Sequence, residues 1–509
     1  CRYCGYRIPE GKLYCENCGR EVRIVPDYNP LDDMLTAEIK GEINGEADGY
    51  GRRQYASGNR NRRPMSFSVP LLLGMLFQQF YSMVDTIIVG KYLGVSALAE
   101  VGSTGSINFM IIGFCMGVCN GFAIPVAQKF GANNYKKLRK YVFNSAVLAA
   151  IFSIVMTMIV CVLCRSILEW MNTPSDIIDG AYSYIFVIFL GIPATYLYNL
   201  SSGIIRSLGD SKTPLMFLIM SSIINIVLDL VFIIVFKMGV AGAAWATIIA
   251  QAVAGIWCTI FMMKKYKILK FEKDELKLNG HYISRLCYMG IPMGLQYSIT
   301  AIGSVILQTA VNGLGSLVVA AVTASSKISM FLCCPFDALG STMATYAGQN
   351  VGAKKLSRIS EGIKKSLLIG SVYSIIALVV SIFFGETIAL LFVNAGETEL
   401  LLMVKQCLVT SAAFFIPLCI VNVVRFTIQG MGYSTFAIFA GICEMIARAL
   451  CGFILVPMFG FTAVCFASPI AWIFADAFLL PGYKNVSNKL KKKIEISEID
   501  YKNNKDEKI

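Results

Sequence analysis

Four side chains with ligating oxygens stand inside long apolar stretches of the sequence: Asp85, Asn225, Asp229 and Thr247. A carboxylate at the centre of a membrane helix costs about 2.5–3.5 kcal/mol or more. Each acid must therefore face a partner or a cavity. Asn225 and Asp229 are four residues apart in the segment NIVLD, which puts both on one face of a helix.

The depths of these residues in their apolar stretches are similar. Asp85 lies about five residues from the outer end of the first stretch, Asp229 about seven from that of the fifth, and Thr247 about seven into the sixth. At roughly 1.5 Å per residue these depths agree within a few ångströms, so the four side chains are predicted to meet. Such oxygens suit ligation of a hard cation such as Na⁺, or uptake and release of a proton. The alternative is a hydrogen-bonded network that only braces the helices.

A second group with clear chemistry is a pair of CxxC motifs near the start of the chain, formed by Cys1, Cys4, Cys15 and Cys18. A glycine follows each pair and relaxes the backbone at the turn. Four thiolates close a tetrahedral Zn²⁺ site with no open position, so the zinc would be structural. A redox role is the alternative. Residues 1–24 are predicted to be a zinc ribbon, and the polar residues 25–65 a disordered linker.

The composition places these groups in a membrane protein. The 509 residues are 56% hydrophobic and 15% charged, whereas soluble proteins have about 25% charged residues. The basic residues behind the net charge of +13 stand between apolar runs, where they set orientation rather than bind nucleic acid. The single histidine, His281, argues against a His-rich metal site. No secretory leader is recognisable, and since the chain begins at Cys1 we expect a few residues before it.

The elements that must position the polar groups are membrane helices. Many apolar runs reach the ~20 residues that a spanning helix needs. Twelve spans are predicted, at residues 67–90, 101–127, 141–163, 182–206, 213–236, 240–263, 284–309, 316–346, 363–384, 402–428, 434–457 and 462–482. The fold class is therefore an all-α polytopic membrane protein.

Charge between the spans predicts the topology. Arginines precede span 1, and lysines crowd the loops after spans 2, 6 and 8, whereas the intervening loops are poor in lysine. Positively charged loops lie on the cytoplasmic side. Both termini are therefore predicted to be cytoplasmic in a bacterial inner membrane, with residues 486–509 forming a charged tail.

The sequence repeats itself at a spacing of about 222 residues. PVAQKFGANN (125–134) resembles YAGQNVGAKK (346–355), and RSLGDS (206–211) resembles QGMGYS (429–434). A repeat of six spans returns the chain to the same side of the membrane. The halves, 66–275 and 276–485, are therefore predicted to be parallel six-helix repeats about an axis along the membrane normal.

Three segments carry a family resemblance: VDTIIVGKYLGVSALAEVG (84–102), QKFGANN (128–134) and GQNVGAKK (348–355). Together with the repeat, they resemble the multidrug and toxic compound extrusion (MATE) family over roughly residues 66–485. Asp85, Asn225 and Asp229 resemble the DinF-type branch, in which the matching positions form the cation site. Span 7 holds no acid, which argues against the NorM-type branch.

The resemblance implies V-shaped lobes of six helices and alternating access. It implies export of small amphipathic or cationic compounds against entry of H⁺ or Na⁺. We expect a monomer in the lipid bilayer without a nucleic-acid partner. The zinc ribbon is not common in this family; it could bind a cytosolic protein, act as a sensor or serve as a tether.

Several other polar or helix-bending residues have two interpretations. Gln78, Asn199 and Gln251 could line a substrate cavity or only join helices by hydrogen bonds. Glu444 and Arg448 are four residues apart on span 11 and are predicted to form a local ion pair. Proline removes a backbone hydrogen bond inside spans 4 and 10, so these spans are predicted to bend, either statically or as part of gating.

Two rival functions stay open from the sequence. A lipid-linked oligosaccharide flippase of the same superfamily would be built alike but usually has a more cationic cavity and further spans. A membrane-anchored regulator would use the zinc ribbon as its working part, and deleting residues 1–60 would then remove all function. An enzyme is not favoured, because no nucleophile–base set or phosphate-binding loop appears in the sequence.

Overall fold

The computed structural model describes residues 63–506, apart from 172, 174, 176 and 391–395. This part of the chain is almost entirely helical, which confirms the predicted all-α fold. Ten of its helices are long and apolar enough to cross a membrane, and two bent pairs raise the number to twelve if each pair is one span. The proposed zinc ligands Cys1, Cys4, Cys15 and Cys18 lie outside the described residues.

The first repeat contains spans 1–6. Its helix begins at Arg63, three residues before the predicted start of the lobe, and a short helix, Val95–Ser103, follows span 1. The bounds of the six spans, in order, are Arg63–Leu93, Gly105–Gly131, Tyr135–Trp170, Ile178–Leu190 with Ile192–Ser207, Lys212–Leu230 with a π-helical turn at Val231–Val235, and Gly239–Lys265.

The second repeat contains spans 7–12. The bounds, in order, are Gly280–Asn312, Ser316–Gly352, Leu356–Ala389, Thr398–Ala413 with Phe415–Gly430, Thr435–Leu450 with a π-helical turn at Cys451–Leu455 and a short helix Val456–Phe459, and Phe461–Asp506. The last helix suits a membrane as far as Lys492.

Matching irregularities show that the two halves are structural repeats. Spans 4 and 10 are bent by 44° and 51°, which confirms the bends predicted from their prolines. Pro193 lies in the first turn after the break in span 4, where its missing N–H costs no hydrogen bond. The turns after spans 2 and 8 each contain a residue with a left-handed backbone, Asn133 at φ 53° and Lys354 at φ 57°.

The outer surface of the spans is apolar. Span 3 exposes Ile151, Ile154, Met158 and Val162, which recur at helical spacing, and Val162 is 80% exposed. Such a stripe is left uncovered by the rest of the described chain and suits contact with lipid. The stripe therefore agrees with a helix that crosses a bilayer.

The two lobes meet mainly where spans 1 and 2 pack against spans 7 and 8. Glycines let the backbones of spans 2 and 7 approach closely, because a Cβ at Gly117 would come within 2.5 Å of the Met293 carbonyl oxygen. Ser298 Oγ on span 7 also donates to the Met110 carbonyl oxygen on span 2 at 3.2 Å.

A second inter-lobe contact, here called the seam, lies at the ends of spans 2 and 8, beside the lysine-rich loops. Gln128 Nε2 donates to the Gly430 carbonyl oxygen at 3.1 Å, and Gln349 Nε2 donates to the Ser207 carbonyl oxygen at 2.9 Å. The donors match in the repeat, and so do the acceptors. Gly131 packs against the Gln349 carbonyl and Gly352 against the Gln128 carbonyl, so neither glycine has room for a side chain.

The loop between spans 6 and 7 is fixed to the first lobe by a buried ion pair. Arg139 donates from Nε and Nη2 to the two carboxylate oxygens of Glu275 at 2.6 and 2.7 Å. The Glu275 side chain is 0% exposed. The Asn279 backbone N–H donates to Asn144 Oδ1 at 3.1 Å, so the connection to the second lobe leaves the first lobe close to residue 279.

Replacing Glu275 by Gln should destabilise the protein by about 1.5–3 kcal/mol, because hydrogen bonds to charged groups contribute that much. The guanidinium of Arg139 holds the pKa of Glu275 below its usual range. A carboxyl with a depressed pKa adds stability above its unfolded value of about 4.3 and loses it as the pH falls through the folded value. Thermal unfolding of the purified protein at pH 7 should show the difference between wild type and variant, and below about pH 4 it should shrink.

The matched control is Glu272→Gln in the same loop. The Glu272 side chain is 65% exposed and lies 3.7 Å from Arg139, so its loss should cost below about 1 kcal/mol. Equal losses of melting temperature in the two variants would contradict a special role of Glu275.

Candidate functional site

The four predicted site residues come together between spans 1, 5 and 6. Asn225 Nδ2 donates to Thr247 Oγ1 at 3.3 Å. The carboxyl groups of Asp85 and Asp229 are side by side. Asn225 and Asp229 are successive turns of one helix, as the spacing predicts. A π-helical turn begins two residues after Asp229.

Four oxygens of this carboxyl site are buried and lack donors. Asp229 is 0% exposed and Asn225 is 2% exposed. Within the described part of the chain, no hydrogen-bond donor reaches Asp85 Oδ1, Asn225 Oδ1 or either oxygen of Asp229. Buried polar atoms without partners are costly, so the arrangement favours a bound proton or a small cation. The described residues contain no group of three or more His, Cys, Asp or Glu side chains suited to a metal. A cation here would therefore also need amide and hydroxyl oxygens.

Two tyrosines that the sequence reasoning did not single out adjoin the carboxyl site. Tyr81 on span 1 and Tyr184 on span 4 lie close enough to interact electrostatically with both Asp85 and Asp229. Tyr184 is 7% exposed. Tyr81 is one turn before Asp85 on the same helix face, a spacing that the sequence already contains.

A cavity of about 220 Å³ lies between the lobes, and Gln78, Asn199 and Gln251 all line it. The first lobe supplies most of its wall. The second lobe contributes Met293, Tyr297, Ser341, Ala344, Thr345 and Phe426.

Gln251 also joins two helices, whereas the side-chain hydrogen bond of Asn199 stays within span 4. Thr195 Oγ1 donates to Gln251 Oε1 at 2.8 Å, and Asn199 Nδ2 donates to the Thr195 carbonyl oxygen at 2.8 Å. The first bond braces span 4 against span 6, and the two bonds together orient two polar groups beside the cavity.

Span 1 connects the cavity to the carboxyl site. Gln78 and Tyr81 line the cavity, and Asp85 follows at helical spacing. Tyr81 lines the cavity and also adjoins both carboxyl groups. A movement of span 1 at the carboxyl site would therefore also move the cavity wall, one helical turn away. The cavity and the carboxyl site therefore form one continuous polar region of the first lobe.

Arg206 at the end of span 4 is a cavity residue that sequence reasoning missed. It is the one charged side chain among the described residues that line the cavity. The comparison of repeats contains a signal for it, because Arg206 in RSLGDS matches Gln429 in QGMGYS. A basic residue at a helix end also fits the rule that positive residues lie on the cytoplasmic side, so the sequence around Arg206 does not distinguish it as a cavity residue.

The second lobe contains its own buried charge cluster. Glu444 and Arg448 are 3.4 Å apart, so the predicted local pair is present. Arg425 on span 10 makes the shorter contact, with its Nη1 2.9 Å from Glu444 Oε1. The cluster therefore joins spans 10 and 11 rather than staying on one helix.

Comparison with known proteins matches both repeats. The family model described as MatE matches residues 70–231 and 292–454. Probable multidrug resistance protein YoeA of Bacillus subtilis (strain 168) is 28% identical over 66% of this chain and 74% of that protein. Probable multidrug resistance protein YpnP of the same organism is 30% identical over 60% of this chain and 68% of that protein. A crystal structure of MATE in complex with MaL6 has a TM-score of 0.81 at 20% identity, covering 87% of this chain and 99% of that one.

Proposed function

The chain belongs to the MatE family, and we propose that it is a multidrug exporter that works by alternating access. It is a membrane transporter and not an enzyme. Two relatives are named as probable multidrug resistance proteins, which supports export of small amphipathic compounds. The observation that carries the proposal is the cavity between the lobes, joined by one turn of span 1 to a pair of buried carboxyl groups.

We further propose that Asp85, Asn225, Asp229 and Thr247 bind the coupling ion, H⁺ or Na⁺, as in the DinF-type branch. Oxygens without donors at Asp85, Asn225 and Asp229 support this assignment, since a proton or cation would satisfy them. Span 7 holds no acid, and the buried acid Glu444 in the second lobe is already paired with arginines. Asp476 is also buried in that lobe and has one oxygen without a donor, but it lies within reach of the positive charge of Arg425. Coupling is therefore assigned to the first lobe.

In this mechanism the ion and the substrate act on the same helix. Binding of a cation removes the repulsion between Asp85 and Asp229 and draws span 1 toward span 5. Because Gln78 and Tyr81 on span 1 line the cavity, that movement changes the shape of the cavity. Loss of the ion restores the earlier arrangement. A ligand shifts such an equilibrium only through its different affinity for the two states.

Efflux from proteoliposomes with an imposed pH gradient or an imposed Na⁺ gradient tests the proposal. One gradient should drive substrate export above the rate seen with no gradient, and its collapse should stop it. Export that depends on neither gradient would contradict coupling. No export of any tested compound, with correctly oriented protein, would favour another MatE-family transport role such as a flippase.

The orientation and the cysteine module are proposals from sequence alone. We propose that both termini face the cytoplasm of a bacterial inner membrane, with the chain acting as a monomer because both cavity walls belong to one chain.

We propose structural Zn²⁺ at Cys1, Cys4, Cys15 and Cys18, in a module that tethers a cytosolic protein. Zinc content equal in wild type and a Cys4→Ser, Cys18→Ser variant would contradict this. Complete loss of transport on deleting residues 1–60 would favour the regulator.

A further inference from the structure

The charge of the cavity lining is positive. Arg206 is the one charged side chain among its described residues, and the other polar groups are neutral amides, hydroxyls and phenols. No aspartate or glutamate of the described chain lines the cavity. Asp85 and Asp229 adjoin Tyr81, which does line it, but they are not part of the wall themselves. A cationic substrate therefore finds no counter-charge in the wall, whereas an anionic one does.

The partners of Arg206 are neutral. Its Nη1 donates to Ser202 Oγ at 2.6 Å, and its Nη2 donates to Asn120 Oδ1 at 3.2 Å. These bonds fix the guanidinium without neutralising it. A guanidinium has five N–H donors and stays charged in proteins. Arg206 is half-buried, and a buried charge without a counter-ion is costly.

Three arginines of the described chain differ from Arg206 in this respect. Arg139 is paired with Glu275, and Arg425 and Arg448 are both paired with Glu444. No carboxylate of the described chain lies within 4.0 Å of Arg206 to form such a pair. These three arginines have a counter-ion, whereas Arg206 and the half-buried Arg285, which donates to the Gly432 carbonyl oxygen at 3.4 Å, have neutral partners. Of the last two, only Arg206 lines the cavity.

The repeat shows that the helix end itself does not require an arginine. Gln429 occupies the matching position on span 10, where it is 1% exposed and donates from Nε2 to Gln296 Oε1 at 2.8 Å. The same turn is therefore built with a neutral amide in the second lobe. Of the two matching residues, the charged one, Arg206, lines the cavity, and the neutral one, Gln429, does not.

From this geometry we propose that Arg206 binds the oxyanion group of an amphipathic substrate, a carboxylate or a close analogue. The guanidinium can meet a carboxylate with two parallel hydrogen bonds. Met75, Met116, Leu218 and Phe426 also line the cavity and offer apolar surface to the rest of the molecule. This inference rests on the proposed exporter function and narrows its substrates to organic anions.

The test uses dansylglycine and dansylglycinamide, which differ only in the carboxylate. Binding to the purified full-length protein is followed by dansyl fluorescence against empty micelles. Wild type should bind dansylglycine about tenfold or more tightly than the amide, because charge-assisted hydrogen bonds are strong. Arg206→Gln should remove this preference and leave amide binding unchanged, and Arg206→Lys should retain part of it. The control is Lys212→Gln, which removes an exposed charge a few residues away.

Binding and transport separate the two proposals. Equal affinity of wild type for the two probes overturns the anion site, and so does an equal loss of both probes in Arg206→Gln. If Arg206→Gln does not fold, the wild-type preference and the Arg206→Lys variant still decide the matter. Arginine-dependent binding of dansylglycine with no gradient-driven efflux of any compound would support the anion site and overturn the exporter.

Discussion

Replacing Asp229 by Asn should lower gradient-driven export by at least about a hundredfold, equal to about 2.7 kcal/mol. Asparagine has nearly the same shape but cannot take up a proton or give a cation its charge. Asp229 is 0% exposed and adjoins Asp85, so the variant removes one of two charges from an enclosed site. Asp85→Asn should have the same effect. Rates of substrate efflux from proteoliposomes, normalised to inserted protein, measure it.

Insertion and stability distinguish coupling from bracing. If the four polar side chains only brace the helices, the amide can still form hydrogen bonds, and both variants should export normally. Asp179→Asn is a suitable control, because Asp179 lies at a span end and its side chain is 82% exposed. It should export like wild type. Near-normal efflux in Asp85→Asn and Asp229→Asn would refute the coupling assignment, whatever their melting temperatures.

The second large effect is expected from Gly131→Ala at the seam. A methyl group there would collide with the Gln349 carbonyl oxygen, which belongs to the other lobe. The helix itself tolerates alanine, so the conflict arises only when the lobes meet. Overpacking of this kind costs about 1–3 kcal/mol, which corresponds to a population shift of about fivefold to 150-fold. The closed seam should therefore become a minor state, and export should fall with it.

The control for this variant lies at the other end of the same helix. A Cβ added at Gly105, the first residue of span 2, meets nothing within 4 Å. Spin labels at Lys137 and Arg358, in the first turns of spans 3 and 9, report the separation of the lobes on the lysine-rich side. Gly131→Ala should shift their distances to longer values, and Gly105→Ala should not. An unchanged distance distribution in Gly131→Ala would show that the seam adapts without opening.

Much of this arrangement follows from the sequence because straight helices convert residue number into depth. Asp85, Asp229 and Thr247 lie at similar depths in their spans, and this predicts their meeting before any packing is known. The bends of spans 4 and 10 follow from single prolines in the same way. These features depend on one helix at a time, or on depth alone.

Features that depend on which helix faces which were not predictable. The ion pair of Glu444 with Arg448 is local and was expected, but the shorter contact with Arg425 crosses to span 10. Arg206 has the sequence context of a topology signal, and only the walls of the cavity give it another role. The repeat predicted that Gln128 matches Gln349, but not that each reaches a carbonyl of the opposite lobe.

The contacts at the seam are arranged as in a two-fold symmetric dimer, although both halves belong to one polypeptide. In an isologous interface, residue i of one subunit meets j of the other, and j meets i. Gln128 meets Gly430, while its counterpart Gln349 meets Ser207, the counterpart of Gly430. Each half therefore holds both sides of the contact, as a subunit that pairs with its own copy does. Removing one of the two glutamine side chains leaves the hydrogen bond of the other in place. A methyl group on Gly131 or Gly352 instead collides with the backbone of the opposite lobe and obstructs the whole contact.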